Sequence, residues 1–366
     1  MGASRSSGRP APGSRDLAAV ETAVLIVRHG PGRGRLQRYG DDWLERLGQT
    51  RPDLRRRVLI HETGSGLEPS LDGVAAVVFL LADPVRELYP ACYTEAAGIA
   101  RCAAERGIRL VNPPDALSNT IKSVQARLWK EAGIPCAGCV PFADRAGLEG
   151  IIGVLRFPVI VRADLLHSQK LTSFCATPDD VRKISADQFP CPGLALEFID
   201  SRATHRAVAP ESVWARYYHR CRAHVLGRHV VPDEIYFSEN PIVSPRTSVW
   251  AGYTVHRGWK RWLEPRVLLR REQRRTIAAD VAWGRSVPPQ RELLRRAANV
   301  LGLEYGALDF ARKADGSLVF WELNPHPDIT PVWREDLPLV RRRGRAVRRI
   351  HDGIGEFVGD LLGSGD

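Results

Sequence analysis

No apolar run in the 366 residues approaches the ~18 needed for a membrane-spanning helix, so no membrane segment is expected. The stretch before Asp16 holds Arg5, Arg9 and Arg15 but no apolar core, which argues against a secretory signal. Residues 1–20, rich in Ser, Gly, Pro and Arg up to Arg15, read as a disordered tail. Paired cysteine is also lacking. The seven cysteines are odd in number and scattered, and the one C-x-x-C, Cys136 and Cys139, has neither a second pair nor a nearby His to complete a zinc site. Reduced thiols in a cytoplasmic protein are the expectation. The run Gly30-Pro-Gly-Arg-Gly34 lacks the dinucleotide-binding spacing, and Pro31 removes an amide donor, so it reads as a plain loop. Lysine is scarce: most of the 53 basic residues are Arg. No internal repeat is evident.

What is present is ordinary for a globular protein, with 44% hydrophobic and 26% charged residues, at a length that suits two or three domains. The net charge of +11 makes polyanions candidate partners. Arg clusters at Arg55–Arg57, Arg270–Arg275 and Arg341–Arg349 have no zinc-finger or RNA-recognition signature beside them. They read equally as solvated helix faces or as the positive field of a polyphosphate-binding enzyme.

The most informative stretch runs from Gly306 to Pro325. Two strand-like runs flank Asp315-Gly316, a hairpin-turn signal. With a two-residue loop, Ala314 faces Ser317, Phe310 lies opposite Trp321, and Leu308 lies opposite Leu323. These apolar residues, with Val319, share one face. On the other face Asp309 lies opposite Glu322, with Asn324 two residues along. Carboxylates facing each other across a ladder repel, so something cationic is expected between them. Two carboxylates and an amide suit a hard ion such as magnesium. A three-residue loop, Ala314-Asp315-Gly316, would slip the register by one, and a bulge would then be needed to restore this face.

An acid, then Glu-x-Asn after a hairpin, closing on Asn-Pro, resembles the metal-binding end of the ATP-grasp superfamily. The likeness covers about Asn112 to Pro327. It implies an α/β (α+β) fold: an N-terminal open α/β domain over residues 21–112, a small lobe over 113–193 and a C-terminal lobe over 194–366. Elements read from the residues agree in order. Strands are expected at Ala23–Val27, Arg57–Ile60, Val74–Leu81 and Ile108–Val111, with a helix from Tyr89 to Arg106. A helix from about Ser118 to Glu131 carries Lys122, and Ile134-Pro135 follows. Phe157-Pro-Val-Ile-Val-Arg162 resembles the family's phosphate-binding strand, with Arg where the family has Lys. Leu165 to Leu171, at the place of the family's Gly-rich lid, has no glycine; His167, Ser168 and Lys170 stand there as side-chain donors. Thr177 and Pro178 open a capped helix. From Pro232 to Pro265 the chain reads as irregular and aromatic. Helices follow at Arg266–Arg275, Pro289–Leu301 and, strongly basic, Leu339–Leu362.

The resemblance implies that Asp309, Glu322 and Asn324 hold one or two magnesium ions against ATP. It implies that Lys122 and Arg162 bind phosphates, and that Leu196, Glu197, Phe198 and Ile199 line the adenine, with Asp200 near the ribose. Arg222, with Arg220 as a rival on the same strand face, and Arg162 take the catalytic charge-neutralising roles. Many ligases of the family have an Arg two residues before the hairpin acid. Here that position is Ala307, so either another cation such as Arg246 or Arg257 holds the acceptor carboxylate, or the reaction is not standard peptide-type ligation. The implied reaction joins a small-molecule or peptide carboxylate to an amine through an acylphosphate. It needs no protein nucleophile, and no Ser-His-Asp or Cys-His set is evident. A phosphotransferase on the same fold, or a nucleic-acid-binding protein with a degenerate nucleotide site, are the alternatives. A homodimer is left open.

Overall fold

The computed structural model describes residues 22–30, 34, 36–166, 171–202, 212–249, 271–288, 290–313, 315–327, 329 and 338–363. The 1–20 tail, the donors His167, Ser168 and Lys170, Arg257 and the aromatics Trp250, Tyr253, Trp259 and Trp262 lie outside these residues.

Among the described residues, three four-stranded sheets carry the fold. The first is parallel, in the order β2-β1-β3-β4, with β1 Ala23–Arg28, β2 Val58–Glu62, β3 Val74–Leu80 and β4 Arg109–Val111. The central strands β1 and β3 are almost wholly buried, which explains their unbroken apolar runs: both faces are covered. The helix Pro90–Glu105 covers one face through Ala96, Ile99, Ala100 and Ala103. On the other, Leu44, Leu47 and Leu54 meet the C-terminal helix Pro338–Leu361. That helix presents Ile350, Ile354, Phe357, Val358 and Leu361, spaced for one face of a helix. Gly30 sits so close to β2 that a Cβ there would lie 1.6 Å from the Thr63 carbonyl oxygen, so the opening of the Gly-rich loop is a packing requirement. Asn112 ends this region in the left-handed conformation (φ 52°), which Asn tolerates. Its amide Nδ2 donates to the Tyr305 carbonyl at 2.7 Å, and its Oδ1 accepts from the Glu304 and Tyr305 amides. The expected domain edge is thus buried and fastened to the C-terminal sheet.

The second sheet is antiparallel, in the order β5-β8-β6-β7, with β5 Cys139–Phe142, β6 Val159–Ala163, β7 Thr172–Cys175 and β8 Gly193–Glu197. Thr177 caps the following helix Pro178–Arg182 in a reciprocal capping box with Asp180.

The third sheet runs β10-β9-β11-β12, with β9 Tyr218–Leu226, β10 His229–Ser238, β11 Tyr305–Arg312 and β12 Leu318–Asn324. The stretch read as irregular from Pro232 therefore begins inside an edge strand, where a proline is tolerated. The hairpin register corrects the two-residue reading. The Lys313 amide donates to the Ser317 carbonyl, so three residues rather than two separate the paired ends of the hairpin. Phe310 faces Phe320 rather than Trp321, and a bulge between Asp309 and Phe310 then restores Asp309 opposite Glu322. One extra residue on β12, Trp321, is the cost of that restoration. Edge strand β12 is closed by the segment beside it: the Leu323 amide donates to Gln125 Oε1 at 3.0 Å and the Phe320 amide to the Pro135 carbonyl at 2.8 Å. The helices read at Arg266–Arg275 and Pro289–Leu301 are described as Arg271–Arg285 and Arg291–Asn299. No helix among the described residues is long and apolar enough to cross a membrane.

His219 on β9 lies in the core beneath the site, against Trp214, and its Nε2 accepts the Arg312 amide. Burial pushes its pKa down to about 4 from 6.5. The unfolded chain therefore takes up this proton first as pH falls, and stability is lost from about 6.5 toward 4. The loss from this group is roughly 3 kcal/mol. In His219→Gln that acid limb is expected to flatten in thermal melts between these pH values; an unchanged limb would rule out the assignment.

Candidate functional site

One face of the third sheet gathers the charged residues. Arg220 and Arg222 project from β9, Glu234 and Tyr236 from β10, Asp309 from β11 and Glu322 from β12. Lys122, at the start of helix Lys122–Glu131, and Arg162 of β6 reach Glu322 from the opposite side. The opposed carboxylates do have cations around them. Arg222 grips Asp309 with two parallel hydrogen bonds, Nε to Oδ1 at 2.8 Å and Nη2 to Oδ2 at 2.9 Å, and Arg220 stands 3.4 Å from Oδ2. Glu322 lies between Lys122 Nζ at 3.5 Å and Arg162 Nη2 at 3.4 Å.

These groups are buried, with Lys122 and Asp309 only 4% and 3% exposed, and the protonation energetics follow from that. Burial lowers the pKa of Lys122, with Arg162 adding to the fall and Glu322 and Asp83 opposing it. Burial also works against the Arg222 charge, but Asp309 and Glu234 outweigh it and hold the guanidinium well above its ordinary value. Burial and the neighbouring Glu234 raise the phenol of Tyr236, so it stays a neutral donor. Asn324 ends β12 opposite Ala307, whose other register partner is His224. The two carboxylates of Asp309 and Glu322 and the amide of Asn324 are by type oxygen donors of the kind a hard divalent ion takes, in contrast to the thiol- and imidazole-rich sets of zinc.

Two small adjoining pockets share Ala137, Leu196 and Trp321: one is lined also by Lys122 and Arg162, the other by Ile160, Phe198 and Ile199. The first is cationic and the second is an apolar slot. Glu197 lies at its rim: its Oε2 accepts the Gly138 amide at 3.3 Å, and its own amide donates to the Gly138 carbonyl. Asp200 instead points outward to Arg202, 2.5 Å away. Arg246 is exposed, on a turn closed by Ser244 and Thr247. Cys136 and Cys139 are half-buried free thiols, and burial raises both pKa values, so neither is a thiolate at neutral pH. The N-terminal sheet also reaches this region. Arg28, at the end of β1, pairs with Asp41 and Glu62, and Tyr39 beside them stacks on His326 at 3.5 Å, two residues past Asn324.

The structure therefore brings Lys122, Arg162, Arg220, Arg222, Asp309 and Glu322 together, with Leu196, Phe198 and Ile199 lining the adjoining slot. Sequence reasoning missed Trp321, which the bulge delivers to the slot, and Glu234; it had Tyr236 only as one of the aromatics in the stretch read as irregular, lining a binding site or filling a small core.

No family model matches the chain, and no curated protein does. Solved structures do match along nearly its whole length. The ATP-grasp ligase PsnB complexed with a minimal precursor superposes with a TM-score of 0.51 at 14% identity, over 92% of this chain and 99% of that one. The macrocyclase MdnC bound with precursor peptide MdnA, from Microcystis aeruginosa MRC, gives 0.52 at 14% identity, over 93% and 100%. A RiPP-associated ATP-grasp ligase of Chryseobacterium gregarium, in complex with ADP and a leader and core peptide, gives 0.50 at 13% identity, over 93% and 97%. At such identities the likeness is one of fold.

Proposed function

The chain has the ATP-grasp fold, and on that fold we propose that it is an ATP- and magnesium-dependent ligase joining a carboxylate to an amine through an acylphosphate. The observation that carries this reading is the opposed pair Asp309 and Glu322, each held by cations suited to phosphate, with the two cations of Glu322 lining a pocket beside an apolar slot. Lys122 and Arg162 take phosphate oxygens of ATP, and Leu196, Phe198, Ile199 and Trp321 enclose the base. Asp309, Glu322 and Asn324 would hold one or two magnesium ions, which supply charge neutralisation as the γ-phosphoryl group moves. Arg222 and Arg220 offset charge on the acylphosphate, and the described residues around them exclude water by burial. Arg220 stands in this reading where Arg246, exposed on its turn, does not.

For the acid, we favour a peptide side chain. Proteins of the same fold are seen with precursor peptides, and a net charge of +11 suits an acidic one. A screen of Asp- and Glu-containing peptides and free acids against amines, read as ADP release, is expected to show release that needs both partners. A stable phosphorylated product would instead favour a phosphotransferase. Failure to bind ATP with magnesium would end the reading.

Trp321 gives an independent check. Stacking of a base on an aromatic ring is worth about 1–3 kcal/mol, so Trp321→Ala is expected to weaken a non-hydrolysable ATP analogue by about ten- to a hundredfold in calorimetric titration. Trp321→Phe should keep most of the affinity. Equal affinity in all three proteins would remove Trp321 from the base site.

A further inference from the structure

Across the third sheet the site charges follow strand order: Glu322 on β12, Asp309 on β11, Arg220 and Arg222 on β9, Glu234 on β10. Lys122 and Arg162 lie at the β12 end. Glu234 is thus at the far end of the row from the phosphate-binding cations.

Its position is built. Pro232 pairs with Ala223 and Ile235 with Cys221, so both Asp233 and Glu234 lie opposite the single residue Arg222. Such a bulge re-aims side chains. Asp280, fully buried on helix Arg271–Arg285, secures it by accepting the Ile235 amide at 2.8 Å. Asp233 turns to His224, at 3.2 Å. Glu234 turns into the site, with its Oε1 4.0 Å from Arg222 Nη1 and accepting the Tyr236 hydroxyl. Its side chain is 12% exposed.

A ligase site of this composition has an electrostatic problem. Lys122, Arg162, Arg220 and Arg222 suit ATP and an acylphosphate, but they repel an incoming ammonium. Glu322 and Asp309 are committed to the metal. Glu234 is the remaining carboxylate in the charged row.

We infer that Glu234 receives the amine nucleophile as its ammonium ion and takes the first proton from it. This rests on the ligase reading and adds to it the charge state in which the amine enters. The ammonium passes one proton to Glu234. The nitrogen lone pair then forms the C–N bond as the C–O bond to phosphate breaks, phosphate leaves with the electron pair, and the second nitrogen proton leaves with it. Tyr236 orients the carboxylate by its hydrogen bond.

The test uses the full chain loaded with magnesium and a non-hydrolysable ATP analogue, with n-butylammonium and butyrate as probes in ligand-observed NMR titrations. The wild type is expected to bind n-butylammonium. Glu234→Gln, which keeps the shape and can still accept from Tyr236, should bind it at least about tenfold more weakly, the scale of a charged hydrogen bond. Its affinity for butyrate and for the nucleotide should change by less than about twofold, since neither contact involves this carboxylate. Glu234→Asp, which keeps the charge, should retain ammonium binding, and supports the inference even if the Gln variant fails to fold. Equal n-butylammonium affinity in wild type and Glu234→Gln, or none in nucleotide-loaded wild type, would overturn the inference while leaving the ligase reading standing. A wild type that does not load the nucleotide would overturn both.

Discussion

Glu322→Gln is expected to abolish measurable ATP turnover, with a loss on the order of 10²–10³-fold or more, the scale seen when a preorganised electrostatic contact to a developing charge is removed. The argument is one of charge. Glu322 pairs with both Lys122 and Arg162, and it is also the acid opposite Asp309. The amide keeps the volume and an oxygen but brings no negative charge, either to the ion or to the two cations. Breaking a buried pair by removing one partner costs about 3–5 kcal/mol, because the other charge is left uncompensated. The variant should therefore melt lower without ligand as well as fail to turn over. Without Glu322, one of the influences that hold the Lys122 pKa up is gone, so it falls further below its ordinary value. A Glu322→Gln protein with wild-type ADP release and unaltered magnesium dependence would remove Glu322 from the metal site.

Why was this residue legible in the sequence when its neighbour was not? The opposition of Asp309 and Glu322 follows from alternation and the Asp315-Gly316 turn signal. It survives even though the loop has three residues, because the bulge on β12 cancels the one-residue slip. The same cancellation hides Trp321. A bulge answers to packing around the strand, here the amide bonds to Gln125 and Pro135, and these come from residues far away in sequence. Glu234 was hidden for a related reason. Pro232 and the acidic pair after it weaken the strand pattern, and only the tertiary hydrogen bond from the Ile235 amide to Asp280 shows that the interruption is an ordered bulge. Lys122 and Arg162 were legible through their family likeness, but their convergence on one carboxylate was not, since it joins helix Lys122–Glu131 and β6 to β12. The boundary at Asn112 was read correctly as an end of strand. Its role as a clamp on β11 needed the position of Tyr305.

Arg222→Met should cost as much stability as Glu322→Gln. Its guanidinium is held by Asp309 through two hydrogen bonds in a site where Asp309 is only 3% exposed. Removing it leaves a buried carboxylate with Arg220, 3.4 Å away, as the remaining close cation, and a loss of about 3–5 kcal/mol is expected in metal-free buffer. If Asp309 is a metal ligand, magnesium replaces the missing positive charge. Millimolar magnesium should then raise the melting temperature of Arg222→Met more than that of the wild type, in which the ion must first displace Arg222. Removing the acid as well separates the two effects. Arg222→Met combined with Asp309→Asn should recover part of the metal-free stability, because the Arg222–Asp309 pair is removed whole rather than broken, and should lose the extra response to magnesium; the recovery is partial because Glu234 and Arg220 each lose a partner. The two substitutions touch one interaction, so their effects should not add. Equal magnesium responses in the single and double variants would show that Asp309 serves only as the counter-charge of Arg222, and the metal would have to be held without it.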